Sequence, residues 1–151
     1  MGQSQGKIGV RRTFFIADIP FNKEEVNTPN GKKTVFVRDP KIEKFSLDEL
    51  RKYGLQKTKE QMFFTDSNSH EIPKMITDPS LRACEIGTVG GSAGHSISAF
   101  FGKEEILLYD SEIGLMSFKN RADLCEDIFR YIAYNVPEVI ILTGFKEVAK
   151  T

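Results

Sequence analysis

Two cysteines, two histidines and no tryptophan leave this chain short of the residues on which much side-chain catalysis and metal binding rely. Cys84 and Cys125 make no disulfide framework, so a reduced, intracellular setting is expected. No apolar stretch approaches the ~20 residues of a membrane span, which argues against integral membrane association. The opening MGQSQGKIG lacks the apolar run of a signal peptide. Gly2 is a poor myristoylation site because Gly6 stands where that motif wants Ser or Thr. Charge of one sign is also missing: Lys+Arg and Asp+Glu stand at 21 each, and the Arg11-Arg12 and Lys32-Lys33 pairs lie near acids. No nucleic-acid or anionic-membrane partner is expected from such a balance. Internal repeats and low-complexity tracts are absent as well.

What is present fits an ordinary globular chain. With 151 residues, 40% hydrophobic and 11% aromatic, it is expected to fold as a single domain over 1–151, with residues 1–7 a flexible tail. Ile8–Ile19 and Thr34–Arg38 read as strands, the second preceded by the turn residues Pro29-Asn30-Gly31. Ser46-Leu47-Asp48-Glu49 is a capping box that predicts a short helix stopping at Gly54. Thr58–Phe64 reads equally as a helical turn or a strand, and the polar stretch 65–80 as the main loop. The second half is sharper. Cys84–Val89, His95–Phe101 and Glu105–Tyr109 read as strands separated by glycine-rich turns. Asn120–Tyr134 reads as a helix capped by Asn120, with Leu124, Ile128, Tyr131 and Ile132 on one face, ending at Asn135 and Pro137. Val139–Phe145 is an apolar run of strand length, suited to burial on both faces. The fold class is therefore α+β: a mainly antiparallel sheet with a packed helix.

His95 and Asp110 carry the chemistry. A tight turn at Gly102-Lys103-Glu104-Glu105 pairs Asp110 with Ile97, one diagonal step from His95 on the same face. Diagonal neighbours lie roughly 7–8 Å apart at Cα, near enough for an imidazole–carboxylate hydrogen bond. A three-residue loop would instead separate them onto opposite faces. The local alternative is that His95 merely begins a strand and Asp110 caps a turn before Gly114.

The stretch Gly94-His95-Ser96-Ile97-Ser98-Ala99, then Leu107-Leu108-Tyr109-Asp110-Ser111-Glu112-Ile113-Gly114, then Met116-Ser117-Phe118, followed by a helix and an apolar strand, resembles the C-terminal half of the YopT-type papain-like cysteine proteases. These are effectors of bacterial pathogens and symbionts, with relatives in large toxins. The resemblance spans roughly residues 84–145 and does not reach the first half. Asp110 and Gly114 match the family's Asp-Pro-Asn-x-Gly, whereas Ser111 and Glu112 replace its Pro-Asn. It implies a sheet half of a papain-like fold, His95 as general base, Asp110 as the residue that orients it, and protein substrates. It also implies an intracellular effector that reaches a host cytosol without a cleaved signal peptide.

The nucleophile departs from that pattern. Papain-like folds place the cysteine well upstream of the histidine, and residues 1–83 contain none. Cys84 is the upstream candidate. If Gly90–Gly94 is a hairpin turn, Val89 faces His95 and Cys84 lies on the order of 16 Å away, out of proton-transfer reach unless residues 84–94 double back. Otherwise Cys84 is a buried small hydrophobe, and Cys125, beside Leu124 on the helix, is another. Ser96 in Gly94-His95-Ser96-Ile97-Ser98 is no nucleophile elbow, because the last glycine is replaced and no helix can follow. Glycines 87, 90, 91 and 94 fit neither a P-loop nor a dinucleotide fingerprint. A metal site drawing on His70, His95, Cys84 and Asp110 has no recognised spacing, so neither metal nor cofactor is expected. Two readings follow: a papain-like cysteine hydrolase scaffold (protease or deamidase), incomplete or inactive for want of a placed thiol, or a non-catalytic module that binds or inhibits a protein partner.

Overall fold

The computed structural model describes residues 21–90 and 94–149. The strand expected over Ile8–Ile19 and the tail over 1–7 lie outside them. The described part is α+β. A two-stranded antiparallel hairpin, β1 (Phe21–Thr28) and β2 (Gly31–Arg38), is followed by α1 (Pro40–Lys52), β3 (Leu55–Phe64), α2 (Ile72–Ile76), β4 (Ala83–Val89), β5 (His95–Phe101), β6 (Ile106–Asp110), β7 (Gly114–Phe118), α3 (Arg121–Asn135) and β8 (Val139–Glu147). The main sheet runs β3-β8-β4-β5-β6-β7, with every neighbouring pair antiparallel.

Local chemistry explains most boundaries. At the β1–β2 turn Gly31 takes φ +107°, and the Thr28 hydroxyl donates to the Gly31 carbonyl at 2.6 Å. Strand β2 thus begins three residues before the expected Thr34. The first helix also starts earlier than its capping-box signature implied. Asp39 is its N-cap, accepting from the Lys41 and Ile42 amides, and Pro40 sits in the first turn, where a missing N–H costs nothing. Ser46 therefore falls mid-helix and buried, while Gly54, at φ +88°, follows the helix end as expected. Residues 55–64 form strand rather than helical turn, with an irregular step between Lys57 and Lys59. The stretch expected to be loop holds a 3-10 turn, Ser69–Glu71, and the short helix α2, whose Ile72, Met75 and Ile76 are buried. Asn120 caps α3, its side chain accepting from the Asp123 amide at 2.9 Å, and Val136 ends the helix in the left-handed region at φ 43°.

Helices cover the sheet on both faces. On one face Ile86, Ile97, Leu108, Ile140 and Leu142 pack with Leu124, Ile128 and Ile132 of α3, together with the α2 residues and Phe63. On the other, Ala83 and Phe145 meet Leu50 of α1, flanked by Leu47, Leu55 and Phe100. Alternation along β8 sends Ile140 and Leu142 to the first cluster and Phe145 to the second, which is why the run is mostly apolar, with buried Thr143 donating to Glu60 Oε2 at 3.2 Å. Each fully buried apolar side chain contributes about 1.5–3 kcal/mol. A buried ion pair, Arg38 to Glu85 at 3.3 Å, ties the end of the hairpin to β4. The Phe21 ring lies 4.5 Å from that guanidinium and occupies the space a side chain at Gly87 would need.

Candidate functional site

His95 is the first residue of β5 and Asp110 the last of β6. The four-residue connection imposes the expected register, with Ile97 opposite Asp110. The imidazole thus lies one diagonal step from the carboxylate, and Nε2 stands 2.7 Å from Asp110 Oδ1. Both side chains are largely withdrawn from solvent, at 14% and 4% exposure, so the contact is little diluted by water. The same Oδ1 accepts the Glu112 amide at 2.9 Å, and the Asp110 carbonyl accepts the Ile113 amide at 3.1 Å before Gly114 turns the chain at φ +116°. Asp110 consequently caps its turn and holds His95 at once; the two readings of that residue are not rivals.

Two further residues support the imidazole. The Thr88 hydroxyl donates to the His95 carbonyl at 3.3 Å, and Thr88 is also the cross-strand neighbour of His95. Tyr131 of α3 stacks on the ring, with centroids 5.9 Å apart and planes at 30°. Burial raises the Tyr131 phenol above its usual range, partly offset by a hydrogen bond with Thr88. The helix pattern placed Tyr131 on the packing face of α3, but only the sheet register reveals that the ring under it is His95.

The structure does not bring Cys84 to this pair. His95 faces Thr88 rather than Val89, and Cys84 lies opposite Ala99. That puts Cys84 four residue steps along the strand from Thr88, the partner of His95, on the order of 13 Å. The Cys84 side chain is 1% exposed inside the main core, its thiol directed to the Glu85 carbonyl at 3.8 Å. Burial first, then the negative charge of Glu85, push that thiol far above its ordinary pKa. Cys125 belongs to the same core cluster, and burial raises it too. Neither is set up to form a thiolate near neutral pH. His70 is exposed on the 3-10 turn.

Glu112 is a third acid at this site, beyond the pair expected from the sequence. Ligand atoms of His95, Asp110 and Glu112 all lie within 4.8 Å of one another. A solvent-exposed glutamate in a turn carries no periodic signal, although the spacing Asp-x-Glu within one turn was visible. Chemically, the arrangement offers an oriented imidazole, a buried carboxylate and a second, exposed carboxylate.

No protein-family model and no curated protein matches the sequence. Among solved structures, the chain is similar to the crystal structure of the Pseudomonas avirulence protein AvrPphB, at 12% identity and a TM-score of 0.48. The match covers 68% of this chain and 59% of that one, so this chain spans less than two thirds of that protein's length. No helix among the described residues is long and apolar enough to cross a membrane.

Proposed function

We propose that the chain carries the base half of a papain-like cysteine hydrolase scaffold and, with no thiol in reach of that base, engages a protein partner rather than cleaving protein by itself. The observation that carries the reading is the 2.7 Å contact between His95 Nε2 and Asp110 Oδ1. Engaging Nε2 leaves Nδ1 as the nitrogen that would accept a proton from a nucleophile, while Asp110 would hold the tautomer and stabilise the imidazolium. Burial of both cysteines supports the inactive form of this reading. Two free thiols also suit a reducing compartment, in keeping with the delivered effectors that the sequence resembles.

Two measurements test it. Nitrogen-15 spectra of the imidazole should show the Nε2–H tautomer in the wild type and a mixed population in Asp110→Ala. Iodoacetamide labelling followed by mass spectrometry should find Cys84 and Cys125 slow and indifferent to His95→Ala. A cysteine that reacts fast at neutral pH and slows in His95→Ala would overturn the inactive reading and establish a working thiol–imidazole pair.

A further inference from the structure

We infer that His95, Asp110 and Glu112 form a binding site for one divalent transition-metal ion of the zinc type. Such a site needs no thiol, and it stands or falls apart from the hydrolase-scaffold reading although it shares two residues with it. The three donors come from two strand ends and the turn between β6 and β7, and their ligand atoms already lie within 4.8 Å of one another. Zinc–ligand bonds of 2.0–2.2 Å at tetrahedral angles separate neighbouring donors by roughly 3.3 Å. The His95–Asp110 contact, at 2.7 Å, has only to open slightly, with the ion taking the place of the shared proton.

The frame that fixes these donors is rigid where it must be. The β5–β6 register holds His95 and Asp110, and the Glu112 amide is bound to Asp110 Oδ1, which anchors the turn that presents the third ligand. The Glu112 side chain is exposed and free to swing onto the ion from the solvent side. That geometry leaves a fourth position facing water, the arrangement of an open rather than a closed zinc site. Charge agrees: a neutral imidazole with two carboxylates sums to −2 and is neutralised by one divalent cation. The nitrogen donor selects borderline ions such as zinc or cobalt over magnesium or calcium, which prefer oxygen alone. Binding requires the Nε2 lone pair, so the Nε2 proton leaves and Nδ1 gains one from solvent, with no net change in protonation of the neutral ring.

The test uses tag-free full chain, competition with a chromogenic chelator for Zn²⁺, and nitrogen-15 spectra of His95. One equivalent of Zn²⁺ should bind and should convert the ring from Nε2–H to Nδ1–H. Glu112→Gln should bind about tenfold more weakly or worse, and His70→Ala should bind as the wild type does. Co²⁺ should give the absorption bands of a low-coordinate site. Saturable binding that Glu112→Gln leaves unchanged, no saturable equivalent, or a ring tautomer indifferent to Zn²⁺ would each overturn the site. The metal-free spectrum separates the two ideas. If the apo ring is Nε2–H and Zn²⁺ fails to change it, only the metal site is lost; if the apo ring is not Nε2–H, the oriented-base reading fails.

Discussion

Cys84 shows how one buried atom sets a chain's response to pH. Its thiol keeps its proton in the folded state well beyond the pH at which an unfolded cysteine, with a pKa of about 8.5, loses it. Above that pH the unfolded chain binds fewer protons than the folded one, so stability is complete below pH ~8.5 and declines as pH rises. Each unit should cost up to about 1.4 kcal/mol for this thiol. Urea unfolding at pH 7, 9 and 10 should show that decline in the wild type and a shallower one in Cys84→Ala, which gives up about 1 kcal/mol at pH 7 for its small cavity. Parallel declines in the two proteins would show that the thiol has no share in the effect. At the same scale, the His95–Asp110 contact was legible in the sequence because a four-residue turn fixes strand parity. Glu112 was not, because an exposed acid has no partner whose number the chain reveals.

Between elements, Arg121 adds a polar tie to the apolar packing of α2 on α3. Its guanidinium donates to the carbonyls of Ile76, Asp78 and Leu81 at 2.8, 2.6 and 3.1 Å and stacks over Phe101 at 4.0 Å. One side chain thus serves the Ile76 and Leu81 carbonyls and shares the Asp78 carbonyl with the Leu81 amide, which donates to it at 3.1 Å. Arg121→Ala should destabilise the fold by roughly 3 kcal/mol, and Arg121→Lys should recover less than half, since an ammonium cannot span all three acceptors. Equilibrium unfolding in urea checks both, and an equal stability for the alanine variant would refute the role. Helix α3 itself was readable from Asn120 and its apolar spacing. The start of α1 was misplaced because Ser46 offers a capping box, while Asp39-Pro40 offers a cap plus a residue unable to donate, and the second combination wins. Helix α2 was missed because Ser, Asp and Pro dominate its surroundings, although Ile72, Met75 and Ile76 already carry helical spacing.

For the whole molecule, burial of both faces of Val139–Phe145 could be inferred, yet the place of β8 in the sheet could not, because strand order depends on pairing partners far apart in the chain. Strand β8 lies between β3 and β4, bonded to both. During synthesis, therefore, β3 has no neighbour in the main sheet until β8 has left the ribosome. Chains stalled before residue 139 should remain open to protease between β3 and β4, and chains released with β8 present should resist it. Protection arriving before β8 emerges would contradict this order of assembly. The fold closes from its middle, and it closes last.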